Sequence, residues 1–110
     1  MAQAFIGEIR LFPYNYAPRG WALCNGQLMP ISQNQALFAL LGTTYGGNGV
    51  QTYALPNLQG RVAVSSGQSP SGSYDTLGAT GSGSGQGTTG QQYLVLNYCI
   101  CLWGIYPSRS

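Results

Sequence analysis

Few side chains in this 110-residue chain could do chemistry. Histidine is absent, and the acids are Glu8 and Asp75. General acid–base catalysis needs a tunable group held beside the reacting atom. Two carboxylates far apart in sequence, in no shared motif, do not make such a site. Cys24, Cys99 and Cys101 are the possible nucleophiles, but a thiol needs a base beside it, and no side chain is a good candidate. The three also lack the spacing of a zinc site. Any single pairing leaves one cysteine over, and a bridge between Cys99 and Cys101, two apart on one strand face, would be strained. They read best as small buried apolar groups. The expectation is no catalytic residue, no cofactor and no metal.

Other binding chemistries fare no better. Gly46-Gly47-Asn48-Gly49 lacks the Lys and Ser/Thr of a phosphate-binding loop. The glycines from Gly78 to Gly87 lack the preceding strand and following helix of a dinucleotide site. Arg10, Arg19, Arg61 and Arg109 are scattered and form no basic stripe, so nucleic acid is not an expected partner. Arg61 and Arg109 can cap carbonyls or join carboxylates at subunit contacts. Tyr14, Tyr16, Tyr45, Tyr53 and Tyr74 read as loop residues, able to stack on sugars, on another subunit or on their own loops.

The composition points to association. Charged residues make up 5 % of the chain, against about 25 % in a typical soluble protein. A small net charge opposes contact between copies only weakly. The N-terminus shows no secretory signal pattern. The most apolar segment, Tyr93 to Tyr106, is broken by Asn97 and too short to span a bilayer, so no membrane span is expected.

The size fits one domain over residues 1–110. Ala4 to Phe12 reads as a first strand, with Phe5, Gly7, Ile9 and Leu11 on one face and a Glu8/Arg10 pair on the other. Trp21 to Cys24 and Gln27 to Met29 flank Asn25-Gly26, which suits a type I′ hairpin. Ser32 with Gln35 reads as a capping box opening a helix to Leu41. Replacing Ser32 with Ala should then cost about 1 kcal/mol. Leu37, Leu40 and Leu41 fall on its buried face, and Gly42 ends it. On that reading Leu40→Ala costs about 2–5 kcal/mol. Arg61 to Ser65 reads as a short strand. Residues 66–92 read as a Gly/Ser/Gln-rich insert or loop, with Gly81 to Gly90 low in complexity. Tyr93 to Trp103 reads as a long strand, apolar on both faces and therefore covered on both sides, in part by another chain. The fold class is α+β: short strands and hairpins with one short helix.

The chain resembles the phage tail collar domain family, including its microcystin-dependent-protein-like members. The resemblance rests on Phe5 to Arg10, Ala17 to Gly26, Leu28 to Gly47 and Leu55-Pro56-Asn57-Leu58-Gln59-Gly60-Arg61-Val62. It returns in Asn97 to Ile100, Gly104-Ile105 and Pro107-Ser108-Arg109. It implies a small α+β domain of phage tail fibres, usually trimeric, with a role in assembly or attachment and no enzyme activity. Many members carry a longer middle region with a Pro-x-His-x-His-like segment, where residues 79 to 92 here are mostly Gly, Ser, Thr and Gln.

The expected function is a structural subunit of a self-assembling, trimer-based fibre, extracellular or phage-tail-like. The alternative is a receptor-binding collar or tip, with a cell-surface glycan or other receptor as partner. Phe5, Ile6, Tyr93, Tyr98, Trp103, Tyr106 and Arg109 are the expected subunit contacts. With no shaft sequence before Phe5, length must come from trimers stacking on one another. Ala2 to Ile6 is the candidate strand for a neighbour's Tyr93–Trp103 edge.

Overall fold

The computed structural model describes residues 3–69, 72–74, 77–81 and 92–108. Asp75, Arg109 and the glycine-rich run over 82–91 lie outside the described residues. The frame is a three-stranded antiparallel sheet in the order β1 (Ile9–Phe12), β7 (Asn97–Cys101), β2 (Trp21–Leu23). The last strand lies between the first two, with Arg10 opposite Cys99 on one side and Leu23 opposite Cys99 on the other. Both edges of β7 are hydrogen-bonded, and Cys99, Ile100 and Cys101 are buried. A strand covered on both faces reads as a continuous apolar run, which is why Cys-Ile-Cys sits here.

A second antiparallel pair joins β3 (Leu28–Pro30) to β4 (Thr52–Ala54). It continues through Asn25 opposite Asn57, with Leu55 N–H donating to Gln27 O (3.0 Å) and Leu58 N–H to Cys24 O (2.9 Å). The hairpin expected at Asn25-Gly26 therefore does not form. A type I′ turn needs positive φ at both central residues, whereas Gly26 is at +79° and no described non-glycine residue has positive φ. The two arms part company: β2 pairs with β7, and β3 with β4. A short hairpin of β5 (Gly67–Ser69) and β6 (Gly72–Tyr74) stands in the polar insert.

The first strand is shorter than expected. Gly7, at φ +86°, bends the chain, and Glu8 N–H closes a turn on Phe5 O (3.1 Å). Phe5 makes a separate parallel bridge with Ile105. Ile6 N–H donates to Ile105 O (2.8 Å) and Ile105 N–H to Ala4 O (2.9 Å). Gly104 is required there, because a Cβ would stand 2.2 Å from Ala4 O. The segment expected to reach a neighbour is thus paired within its own chain. The strands expected at Arg61–Ser65 and over Tyr93–Leu96 are also absent; residues 61–65 and 92–96 are exposed and carry no regular structure.

Helix α1 spans Gln35–Leu41, preceded by a 3₁₀ turn over Ile31–Gln33. Ser32 makes no cap, since Pro30 precedes the 3₁₀ turn and Asn34 precedes the α-helix. The turn is tied down elsewhere, by Ile31 N–H to Gln51 O (3.0 Å) and by Asn34 Nδ2 to Pro30 O (3.1 Å). The Ser32→Ala penalty expected of a cap has no basis here. Gly42, at φ +57°, ends the helix with its N–H on Phe38 O (2.7 Å).

The core gathers Ile6, Ala22, Cys24, Leu37, Tyr53, Leu55 and Ile100, with Phe38, Leu41, Met29 and Leu58 packed around them. Leu37, Phe38 and Leu41 form the helix's inward stripe, while Leu40 is 38 % exposed. Tyr53, expected in a loop, is a fully buried β4 residue whose ring lies 5.5 Å from that of Phe38.

The loop from α1 to β4 is built on Asn48. Its Oδ1 accepts the N–H groups of Val50 (2.8 Å), Gln51 (2.9 Å) and Thr52 (3.1 Å). Beside it Gly47, at φ +92°, lies so close to β4 that a Cβ would stand 2.4 Å from Tyr53 Cα.

Chemical denaturation should separate the two helix leucines. Leu37→Ala is expected to cost about 2–5 kcal/mol, and Leu40→Ala about 1 kcal/mol or less, since its side chain is already partly in water. Equal losses would contradict this packing. Gly47→Ala should cost at least about 2 kcal/mol, combining a left-handed backbone with a clash against backbone atoms. Asn48→Ala should cost about 1–3 kcal/mol, whereas Asn48→Asp, which keeps the acceptor, should leave stability near wild type at pH 7.

Candidate functional site

Groups with chemical potential are held in structural roles. Glu8 donates nothing and accepts from Arg10 Nε and from Phe5 N–H. The Arg10 hydrogen bond, then the Phe5 amide, hold its carboxyl below the usual carboxylate range. The pair is exposed to solvent, where such contacts add little stability. Cys24, Cys99 and Cys101 are free thiols, all buried. Burial, and then proximity to Cys99, pushes the Cys24 thiol up to about 12. Burial likewise raises Cys99 and Cys101. A thiol held protonated is a poor nucleophile and a poor metal ligand. Among the described residues no three His, Cys, Asp or Glu side chains come together, and no helix is long and apolar enough to cross a membrane.

The surface offers more than the interior. A cleft of about 650 Å³ runs between the 58–62 and 93–98 segments and is lined also by Leu11, Leu23, Cys24 and Asn25. Its rims are apolar and open: Val62 is 76 % exposed, Tyr93 88 %, Leu94 82 % and Val95 76 %. Val64, next along the first rim, is exposed as well. Arg61 stands at the same rim with Nη1 donating to Asn57 O (2.8 Å), so its guanidinium caps a carbonyl. The two rims are the segments through which the chain leaves for the polar insert and returns from it. Residues 58–62 and 93–96 belong to no described strand, and β7 begins at Asn97.

The residues expected at subunit contacts are scattered over this surface and beyond it. Tyr93 and Tyr98 line the cleft, Tyr98 half-buried against the core. Ile6 is buried in its own core, and Phe5, Trp103 and Tyr106 are exposed around the paired chain ends. Arg109 lies outside the described residues. Val62, Val64, Leu94 and Val95 are not among the expected contact residues: Arg61 to Ser65 reads as a short strand, and the Tyr93–Trp103 run, although expected to be covered in part by another chain, does not single out Leu94 and Val95. The available signal was their position, on the two flanks of an insert with little apolar material to cover them.

The family model of the phage tail collar domain matches residues 7–63. That span runs from the Gly7 bend through β1, β2, β3, the helix, the Asn48 loop, β4 and Arg61, stops before β7, and takes in just over half of the chain. Comparison with curated proteins finds no match. The order of elements and the matched span agree with the resemblance carried by the sequence phrases. The chain belongs to the phage tail collar domain family, a structural domain of phage tails.

Proposed function

We propose that the protein is the subunit of a homotrimeric fibre, part of a phage tail or of a phage-tail-like extracellular filament, and that it acts by assembly rather than catalysis. The observation that supports this reading is the open apolar cleft between residues 58–62 and 93–98 on a chain with very few charges. Large exposed apolar patches on soluble proteins mark interaction surfaces. Residues 62–65 and 93–96 lie outside any described strand, and backbone of that kind can take up a strand from another copy. Three copies around an axis would each bury one rim in the next cleft, a cyclic arrangement that closes. Stacking of such trimers gives length. The pairing of Phe5 and Ile6 with Ile105 leaves the rims, rather than the N-terminal segment, as the contacts proposed between copies.

Native mass spectrometry across a concentration series tests the trimer, and electron microscopy tests the stacking. Wild type should give a trimer mass and, at high concentration, filaments. Leu94→Asp places a charge in the proposed contact and should weaken assembly by at least about tenfold. Its circular dichroism should stay unchanged, because Leu94 is exposed in the protomer. A wild type that stays monomeric, or a Leu94→Asp protein that assembles normally, overturns the proposal.

A further inference from the structure

A second cleft, of about 720 Å³, opens beside the Phe5–Ile105 pairing and shares no lining residue with the first. Its walls carry Arg10, Arg19, Phe12, Trp21 and Trp103, with Gln3 at the rim. Its aromatic walls and few polar groups, rather than its volume, set it apart from the first cleft and match a ligand with rings and polar groups. The aromatic rings are fixed against one another. Phe12 meets Trp21 edge-on at 5.1 Å and stacks on Tyr14 at 5.7 Å, and Tyr14 stacks on Tyr16 at 5.2 Å. Arg10 lies over the Trp21 ring at 5.4 Å, held there by Glu8. Asn97 Nδ2 donates to Tyr14 O at 2.7 Å and anchors the loop that carries the row. Trp103 lies alongside Gly20, where a Cβ would touch its ring at 3.6 Å, and is 65 % exposed. Arg19 is exposed and has no ion pair among the described residues.

We propose that this cleft binds an acidic polysaccharide, with the C–H face of a sugar on the Trp103 ring and its carboxylate on the Arg19 guanidinium. Both contacts follow from the side chains present. A sugar's apolar face matches an open indole face. A guanidinium takes a carboxylate through two parallel hydrogen bonds. The exposed Tyr14 and Tyr16 extend the surface along the chain of sugars and offer hydroxyl groups to theirs. Single-stranded nucleic acid fits less well. It calls for a basic groove along several phosphates and free ring faces for successive bases. Here Arg10 is already engaged by Glu8, and Phe12, Tyr14 and Tyr16 stack on one another. The proposal does not depend on the trimer.

Trp21 and Trp103 are the chain's two tryptophans, and both line the cleft, so intrinsic fluorescence reads its occupancy directly. Oligouronates of the alginate type, titrated into the intact protein at low salt, should change the tryptophan emission saturably, and added salt should weaken the effect. Arg19→Gln should raise the apparent Kd about tenfold or more. Trp103→Ala should do the same, read by calorimetry. Tyr93→Ala, in the other cleft, should leave it unchanged. Arg19→Gln removes only an exposed charge, so the test survives if Trp103→Ala fails to fold. Oligomer mass is recorded in parallel, which separates loss of this site from failure of assembly. Equal binding of neutral cello-oligosaccharides, unchanged binding by Arg19→Gln, no saturable signal in the millimolar range, or tighter binding of an oligodeoxythymidylate would each overturn the proposal.

Discussion

Everything in this fold waits on β7 taking its place between β1 and β2. The strand is Asn97-Tyr98-Cys99-Ile100-Cys101, and its neighbours lie near the other end of the chain. Without it, β1 and β2 have no common partner and Ala22, Cys24 and Leu37 lose the Ile100 side of their core. Three consecutive buried residues, Cys99 to Cys101, with both backbone edges bonded leave that part of the strand no exposed face. The thiols on it are protected by the same fact, because a thiolate would have to form where water does not reach. Contacts this distant in sequence fold slowly and only when the whole chain is available.

The parts of this architecture that the sequence makes legible are those set by local backbone chemistry. Gly42 as a helix stop, the Gly46–Gly49 loop, the inward Leu37 and the burial of the cysteines all depend on neighbours a few residues away or on side-chain type alone. The missed features depend on partners far along the chain. Asn25-Gly26 has the composition of a hairpin turn, yet Leu23 finds Cys99 and Leu28 finds Ala54, so tertiary pairing prevails over turn preference. Ser32 and Gln35 have the spacing of a capping box, yet Ile31 is drawn to Gln51 O and the first turn tightens to 3₁₀. Gly7 within an apolar alternation was readable as a break, and it marks the bend. The candidate surfaces were legible only in outline. A poverty of charge pointed to association, but nothing in the spacing of Val62, Leu94, Arg19 and Trp103 told which residues the fold would bring side by side.

The two clefts of this nearly uncharged surface differ in chemistry. One is aliphatic and rimmed by extended chain, suited to contacts repeated by symmetry. The other gathers both tryptophans and two of the four arginines, suited to a ligand with rings and acids. Their linings share no residue. Gln, Asn, Ser and Thr cover much of the remainder, so close approach of copies desolvates few charges.

The parallel bridge between Phe5 and Ile105 also fixes how the domain responds to tension. In a parallel pair the chain runs the same way through both residues, so polypeptide attached before the first and after the second departs in opposite directions. A pull along that line slides the two segments past each other and loads the Ala4, Ile6 and Ile105 hydrogen bonds together, rather than peeling them open in turn. Gly104, pressed against Ala4 O, brings the segments close enough for that load to be shared. A pull on the two ends therefore loads this pairing in shear, the direction in which a parallel joint is hardest to open.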